Sequence, residues 1–214
     1  MNLLIFGPPG SGKGTLADVF ASKENLKHIS TGDIIREHIK SKDELGLRMI
    51  NADTAGLAPD DIVNEIVKDR LSKEDVNNGF ILDGYPRTIN QGEFLKDLIK
   101  IDGIIFVDLE DEKIIDRISH RRVCSGCGKI YNLNFNKPLV ENTCDICKSK
   151  LFLRKDDTPE IIKRRLEVYK KETHPLIDLF EKLNWPILHI KGDYDLKTEI
   201  SDVIDRIISW QKAV

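Results

Sequence analysis

"GPPGSGKGT", residues 7–15, follows the short apolar run Asn2–Phe6 and precedes an amphipathic stretch. Strand, glycine-rich loop and helix in that order form the context in which a phosphate-binding loop works. The glycines let backbone N–H groups turn inward around phosphate oxygens, and the helix start adds its partial positive charge. Gly10, Ser11, Gly12, Lys13, Gly14 and Thr15 are the candidate cradle, with Lys13 reaching the β- and γ-phosphates. Gly14 stands where the general pattern has a hydroxyl residue, so Thr15, one position later, is the candidate beside Mg²⁺.

Working outward, short buried runs alternate with amphipathic stretches. "NLLIF" (2–6), "KHIS" (27–30), "GFILDG" (79–84), "GIIFVDL" (103–109) and "PILHIKG" (186–192) read as strands. Helices are expected at 13–24, over 31–70 with a break near Gly56 and Pro59, at 111–121, from Pro159 behind the cap Thr158, and at 196–213. His174-Pro175 separates the helix after Thr158 from a following one. Five strands alternating with helices predict an α/β fold, one five-stranded parallel sheet covered by helices on both faces. Residues 122–157 lose periodicity. The stretch is too long for a plain loop and is expected to be a small subdomain or a lid.

Composition sets bounds on function. The chain has 214 residues and a formal net charge of −3. That balance argues against life on nucleic acid or an anionic membrane. The first apolar run stops at Gly7, too short for a signal peptide or a membrane span, so a cytoplasmic protein is expected. Nothing in the sequence marks oligomerisation, and monomer is the default.

All four cysteines fall in "CSGCGKIYNLNFNKPLVENTCDIC", residues 124–147. Cys124, Cys127, Cys144 and Cys147 make two CxxC knuckles, a spacing that closes a tetrahedral, structural zinc site. Iron fits the same sulfurs and stays open. A zinc ribbon that reads nucleic acid would want basic residues between the knuckles, and "YNLNFNKPLVENT" offers only Lys137.

A second cluster follows the next strands: "STGD" (30–33), Arg36 and "DGYPRTINQ" (83–91). Ligands of open parallel sheets bind at the carboxyl ends of the strands. Asp83 ends a buried strand, where a carboxylate must be hydrated or paired, and a place at Mg²⁺ or its water shell is favoured. Arg36 and Arg87 can fork onto a phosphate. Arg117 and Arg121 are expected i,i+4 on one helix face, and Arg154 and Arg165 flank the start of the next long helix. Such cations suit phosphoryl transfer, in which two polyanions meet. The five histidines, His28, His38, His120, His174 and His189, show no metal or triad spacing and read as structural.

In order, the runs GxxGxGKGT, STGD with Arg36, DGYPRTxxQ, DRIxxRR and RxDDxPExxxxRL resemble the adenylate kinase family over nearly the whole chain. The resemblance implies that residues 10–15, Arg117, Arg121, Ile130, Tyr131, Arg154 and Arg165 hold ATP. It implies that Thr31, Arg36, Leu57, Ala58, Gly84, Tyr85, Pro86, Arg87 and Gln91 hold AMP. Lys13, Asp83, Arg87, Arg121, Arg154 and Arg165 then serve the transfer itself. It also implies a core of 1–29, 60–119 and 158–214, an AMP-binding insertion at 30–59, and a zinc-bearing lid at 120–157 in its long form. Two departures stand out. Gly56 leads directly into Leu57-Ala58-Pro59-Asp60 where the family keeps one residue between, and Tyr85 replaces the usual phenylalanine of DGFPR. The implied reaction is Mg²⁺-dependent ATP + AMP ⇌ 2 ADP. Rivals are a UMP/CMP kinase, whose members typically carry alanine at the place of Thr31 and a short lid without cysteines, and a P-loop ATPase with a nucleic-acid-binding zinc ribbon.

Overall fold

The computed structural model describes residues 1–51, 58–154, 156–194 and 199–213. Strand β1 (Asn2–Phe6) lies at the centre of a five-stranded sheet. The others are β2 (Lys27–Ser30), β3 (Phe80–Asp83), β4 (Gly103–Asp108) and, last in the chain, β8 (Ile187–Lys191). Their order is β2-β3-β1-β4-β8, and every pairing is parallel. Leu4 lies level with Leu82 on one side and Ile104 on the other.

The strands read as continuous apolar runs because both faces of the sheet are covered. Alternate residues go to opposite sides. Leu4, Phe6, Leu82 and Ile104 pack with Leu95, Leu176 and Phe180. Leu3, Ile5, Ile81 and Ile105 pack with Leu16, Phe20, Ile204 and Ile207. On the first face the Phe6 ring meets the edge of Phe180, 5.3 Å between centroids.

Helix starts follow local chemistry. Helix α1 (Lys13–Lys23) leaves the phosphate-loop sequence directly. Helix α2 (Thr31–Ser41) begins behind Ser30, whose hydroxyl accepts from Asp33 N. It ends where Lys42 turns left-handed, at φ 54. The helical pattern expected over 31–70 is therefore divided, with α3 (Glu44–Asn51) and α4 (Asp60–Leu71) following. Helix α5 (Ile89–Leu98) is capped by Thr88, which accepts from Gln91 N. Helix α6 covers Asp111–Ser119.

The helix expected to run to 121 ends at Ser119. Residues Arg121–Cys124 form strand β5, drawn out of the helix by pairing on both edges. Its partners are β6 (Ile130–Asn132) and β7 (Leu151–Phe152), giving a small antiparallel sheet in the order β6-β5-β7. Arg117 and Arg121 are thus not neighbours on one helix face. Strands of two to four residues are too short to print a period, so 122–157 reads as aperiodic. Beyond it come α7 (Pro159–Val168), with Thr158 accepting from Ile161 N, then α8 (Leu176–Lys182) and α9 (Ile200–Gln211). Pro175 separates α8 from the π-helical segment Tyr169–Thr173, as expected from the sequence. No helix among the described residues is long and apolar enough to cross a membrane.

Candidate active site

The loops after β1, β2 and β3 open onto a cleft of about 470 Å³, closed on the other side by β6 and the residues around it. The phosphate loop forms its floor. At Gly7, φ is +145, and a Cβ there would lie 2.2 Å from the Val107 carbonyl oxygen, so only glycine lets the loop pass β4 this closely. Lys13 Nζ donates to the Pro8 carbonyl (3.0 Å), which arches the side chain back over the loop. The Ser11 hydroxyl is buried without a protein partner, an unmet polar group in the cradle. The place of Gly14 after the lysine has a steric reason. A Cβ on Gly14 would stand 3.2 Å from Asp83 Oδ2, so glycine lets the Asp83 carboxylate come up beside the lysine's helix turn.

Cations crowd this space. Among the described residues, Lys13, Arg36, Arg87, Arg117, Arg121, Lys129, Arg154 and Arg165 line the cleft against Asp18, Asp33 and Asp83. Arg117 donates to the Gly192 carbonyl (2.6 Å) and lies over the Phe135 ring. Arg121 is held in a two-pronged pair with the fully buried Asp157, and Arg165 reaches Asp156 and Asp157. Arg154 lies 3.8 Å from Asp33, which also pairs with Arg36. Arg87 donates to the Gly84 carbonyl (2.7 Å).

The electrostatic cost is visible in the titration of these groups. Burial pushes the Lys13 ammonium down to about 8; Asp83 partly restores it, while Arg87, Arg165 and Arg121 add repulsion. Burial and then Arg36 and Arg121 push Arg154 down to about 10. Arg87, Arg117 and Arg165 are also lowered, each chiefly by burial. Concentrated, desolvated positive charge of this kind is relieved by a bound polyanion.

His28 departs from the structural role expected of the histidines. Its Nδ1 lies 2.5 Å from Asp18 Oδ1, and its Nε2 faces Asp83 Oδ2 at 3.8 Å. Burial alone would lower it, but the hydrogen bond to Asp18 and the nearby Asp83 carboxylate raise it to about 9. Asp83 thus has a cationic imidazole beside it. No spacing in sequence could reveal this contact, because residues 18, 28 and 83 meet only through the β2–β3 pairing and α1.

The second cluster is placed unevenly. Arg36, Gly84 and Arg87 line the cleft. Thr31 is buried just beneath, its hydroxyl donating to the Asp83 carbonyl (2.9 Å). Gln91 is buried too, accepting from Arg87 N (2.7 Å) and donating to Asp60 (2.7 Å). Tyr85 points into the core, where its hydroxyl donates to Asn64 Oδ1 (2.5 Å). That partner accounts for a tyrosine in place of phenylalanine. Pro86 and Ala58 are not brought to the cleft wall, and Leu57 lies outside the described residues.

On the opposite wall, Ile130 lines the cleft as expected. The strand of Tyr131 does so as well, but the Tyr131 side chain is 1% exposed and turned away, its hydroxyl 3.4 Å from Cys144 Sγ. Residues not anticipated from the sequence also face the cleft: Asp18, Asp33, Lys129, Asn132, Phe135, Asn136 and Tyr194. Asp33 lay within the quoted STGD run, and buried Asp157 within RxDDxPE, so both had a signal. The asparagines and Phe135 had none.

The four cysteine sulfurs lie within 4.8 Å of one another. Cys124 and Cys147 sulfurs are 3.3 Å apart and Cys127 and Cys144 sulfurs 3.6 Å, far too long for disulfides. They are close to the edge of a tetrahedron with metal–sulfur bonds of about 2.3 Å. The Tyr131 hydroxyl pulls the Cys144 thiol down to about 6, towards the thiolate a metal requires. The group can hold a metal ion, and its soft, closed sulfur set fits zinc or iron better than a hard cation.

Comparison with known proteins agrees with this geometry. The family model described as "Adenylate kinase" matches residues 5–185. An adenylate kinase of Thermosipho africanus is 44% identical over 213 residues, covering 97% of this chain and 99% of that one. One from Methanothrix thermoacetophila is 47% identical over 98% of this chain and 99% of its own. One from Clostridium tetani is 43% identical over 97% and 98%.

Proposed function

The chain belongs to the adenylate kinase family and transfers a phosphoryl group between ATP and AMP, and we propose that it does so by direct in-line displacement in the cleft described above. The observation that carries the proposal is the excess of cations over carboxylates in a single cleft that begins at a phosphate loop. An AMP phosphate oxygen is the nucleophile, so no side chain forms a covalent intermediate. The new P–O bond forms as the bond between the γ-phosphorus and the β–γ bridging oxygen breaks, leaving ADP on both sides.

The residues divide by position. Residues 10–15 cradle the ATP phosphates, with Lys13 on the transferring group. Arg117, Ile130 and the strand of Tyr131 border the nucleoside side. Arg36 and Arg87, together with Gly84, receive the AMP phosphate. Arg121, Arg154 and Arg165 stand between the two and neutralise charge that builds up as the phosphates approach. Thr31, Tyr85, Pro86 and Gln91 act from beneath, Gln91 by fixing the Arg87 backbone. Mg²⁺, when bound with ATP, neutralises β- and γ-oxygens; Thr15 and Asp83 offer the hard oxygen donors that suit it.

Zinc in the four-cysteine site is structural in this reading, since four thiolates leave no coordination position open. Its place is to hold 120–157 in shape so that these residues move as a lid, with 30–59 as the monophosphate-binding part and 1–29, 60–119 and 158–214 as the core. Closure excludes water and so favours transfer over hydrolysis. Four cysteines gathered as candidate metal ligands suit the reducing cytoplasm, where thiols stay free. The test is an acceptor panel. ADP formation from ATP should be far faster with AMP than with UMP or CMP, and comparable rates with a pyrimidine monophosphate would move the chain to the neighbouring specificity.

A further inference from the structure

We propose that Tyr131 is a positioning residue that couples the four-cysteine metal site to the nucleotide cleft. This inference rests on the reading that the cysteines hold a metal and the cleft holds ATP.

The Tyr131 hydroxyl oxygen accepts a hydrogen bond from Asp145 N at 2.8 Å. With that acceptor role filled by an N–H, the phenolic proton is free for the second neighbour, Cys144 Sγ at 3.4 Å. A thiolate is the acceptor this donor fits. The ring itself is packed with Cys124, Cys144 and Leu151 in the apolar centre of the small sheet, and Lys129 Nζ lies 5.3 Å from its centroid. The side chain therefore belongs to the metal site. Its backbone does not: β6 lines the cleft at Ile130, Tyr131 and Asn132. It is also paired with β5, which sets Asn132 opposite Arg121. One residue thus has its hydroxyl on a metal ligand and its strand on the nucleotide wall.

Two consequences follow from linkage. Filling the metal site fixes the hydroxyl and, through it, the β6 wall that meets ATP. Reciprocally, nucleotide against β6 holds the hydroxyl on Cys144 and tightens metal binding by the same coupling, which a slower metal release reads out. Partners just outside a metal's ligands commonly change its affinity 10- to 100-fold when removed.

The experiment uses the full chain loaded with Co²⁺, whose thiolate-to-metal charge-transfer band reports on sulfur donor strength, and compares it with Tyr131→Phe. The expected result has three parts. The variant binds Co²⁺ with about 10-fold or more weaker affinity. Its charge-transfer band moves to lower energy, because a thiolate freed of a hydrogen bond gives up electron density more readily. Mg²⁺-saturated ATP, added without AMP, slows Co²⁺ release to a chelator in the wild type and leaves the variant's release unchanged. A variant whose band and ATP response match the wild type overturns the coupling, while its intact Co²⁺ spectrum leaves the metal-site reading standing. A wild-type protein that takes up no Co²⁺ overturns the metal-site reading and the coupling with it. Circular dichroism of the variant separates loss of folding from loss of the hydrogen bond. If Tyr131→Phe unfolds, Cys144→His, which keeps a metal ligand but removes the hydroxyl's acceptor, must abolish the ATP effect on release, and persistence of that effect refutes the proposal.

Discussion

In the proposed transfer, Lys13 is the residue on which the chemistry depends most heavily. It is held over the phosphate loop by the Pro8 carbonyl and is lowered to about 8 by burial among arginines, so its charge is poorly solvated until phosphate arrives. Removing such a preorganised cation costs about 3 kcal/mol of transition-state stabilisation, roughly 10²-fold in rate. Lys13→Met should therefore lose about that much kcat while its unfolding transition stays near the wild type; a variant with near-normal kcat would remove Lys13 from the transfer. His28 supports a different kind of prediction. Its folded pKa of about 9 lies above its ordinary value of 6.5. The stability it contributes is full below about 6.5 and is lost as pH rises towards 9. Lys13 works in the opposite sense, because its lowered pKa costs stability at low pH and that cost fades above about 8. Comparing His28→Gln with wild type cancels the Lys13 contribution. Urea midpoints at pH 6.5 and 9 should converge for the two proteins at the higher pH, and a constant gap would deny the His28 ion pairs their role. At this scale the sequence disclosed the residues that belong to contiguous motifs, Lys13, Arg36, Arg87 and the cysteines. It did not disclose His28 or Asp18, whose meeting with Asp83 depends on strand order, nor that Thr31, Tyr85 and Gln91 lie buried below the cleft surface.

Among the elements, α7 and the small sheet β6-β5-β7 set the far wall of the cleft. Thr158 caps α7 by accepting from Ile161 N, and Arg165 projects from this helix toward Asp156 and Asp157. Thr158→Ala should cost about 1 kcal/mol of stability, the usual worth of such a cap, measured as a shift in the denaturant midpoint at unchanged slope. No shift would mean the cap is not formed in solution. The small sheet has little apolar core of its own: Cys124, Tyr131, Cys144 and Leu151 are its buried centre. A metal held by the four cysteines would supply what burial cannot. Zinc-finger peptides gain about 10–16 kcal/mol on binding metal, an upper bound where both chain ends are anchored to a folded body. Cys127→Ser should lose metal and raise hydrogen exchange across 122–157 before the parallel sheet melts. Wild-type protection in the metal-free variant would show that metal does not organise these residues. The cysteine spacing made the four-sulfur cluster legible, but the strands around it were not. Elements of two to four residues carry no periodicity, and Arg121 reads in the sequence as the end of the helix that begins at 111. Backbone pairing with β6 and β7 overrides that local pattern.

In the whole molecule, the parallel sheet was readable because strands buried on both faces must be apolar along their length, and the two faces sort Leu4 from Leu3 and Leu82 from Ile81. That sheet brings the loops after β1, β2 and β3 to one edge, and the chain after α6 returns over them with β6 and α7. Two cationic regions, around Lys13 and around Arg36 and Arg87, therefore face one cleft with Arg121, Arg154 and Arg165 beside them. An arrangement of this kind transfers a phosphoryl group between two bound anions and has no need of water as acceptor. The most direct measurement follows the label of ATP carrying ³²P only in its γ-phosphoryl, mixed with AMP, Mg²⁺ and enzyme. Early in the reaction the label should appear in the β-phosphoryl of ADP at the rate at which ATP is consumed, with little in inorganic phosphate. Label released mainly as inorganic phosphate, at a rate indifferent to AMP, would contradict the account.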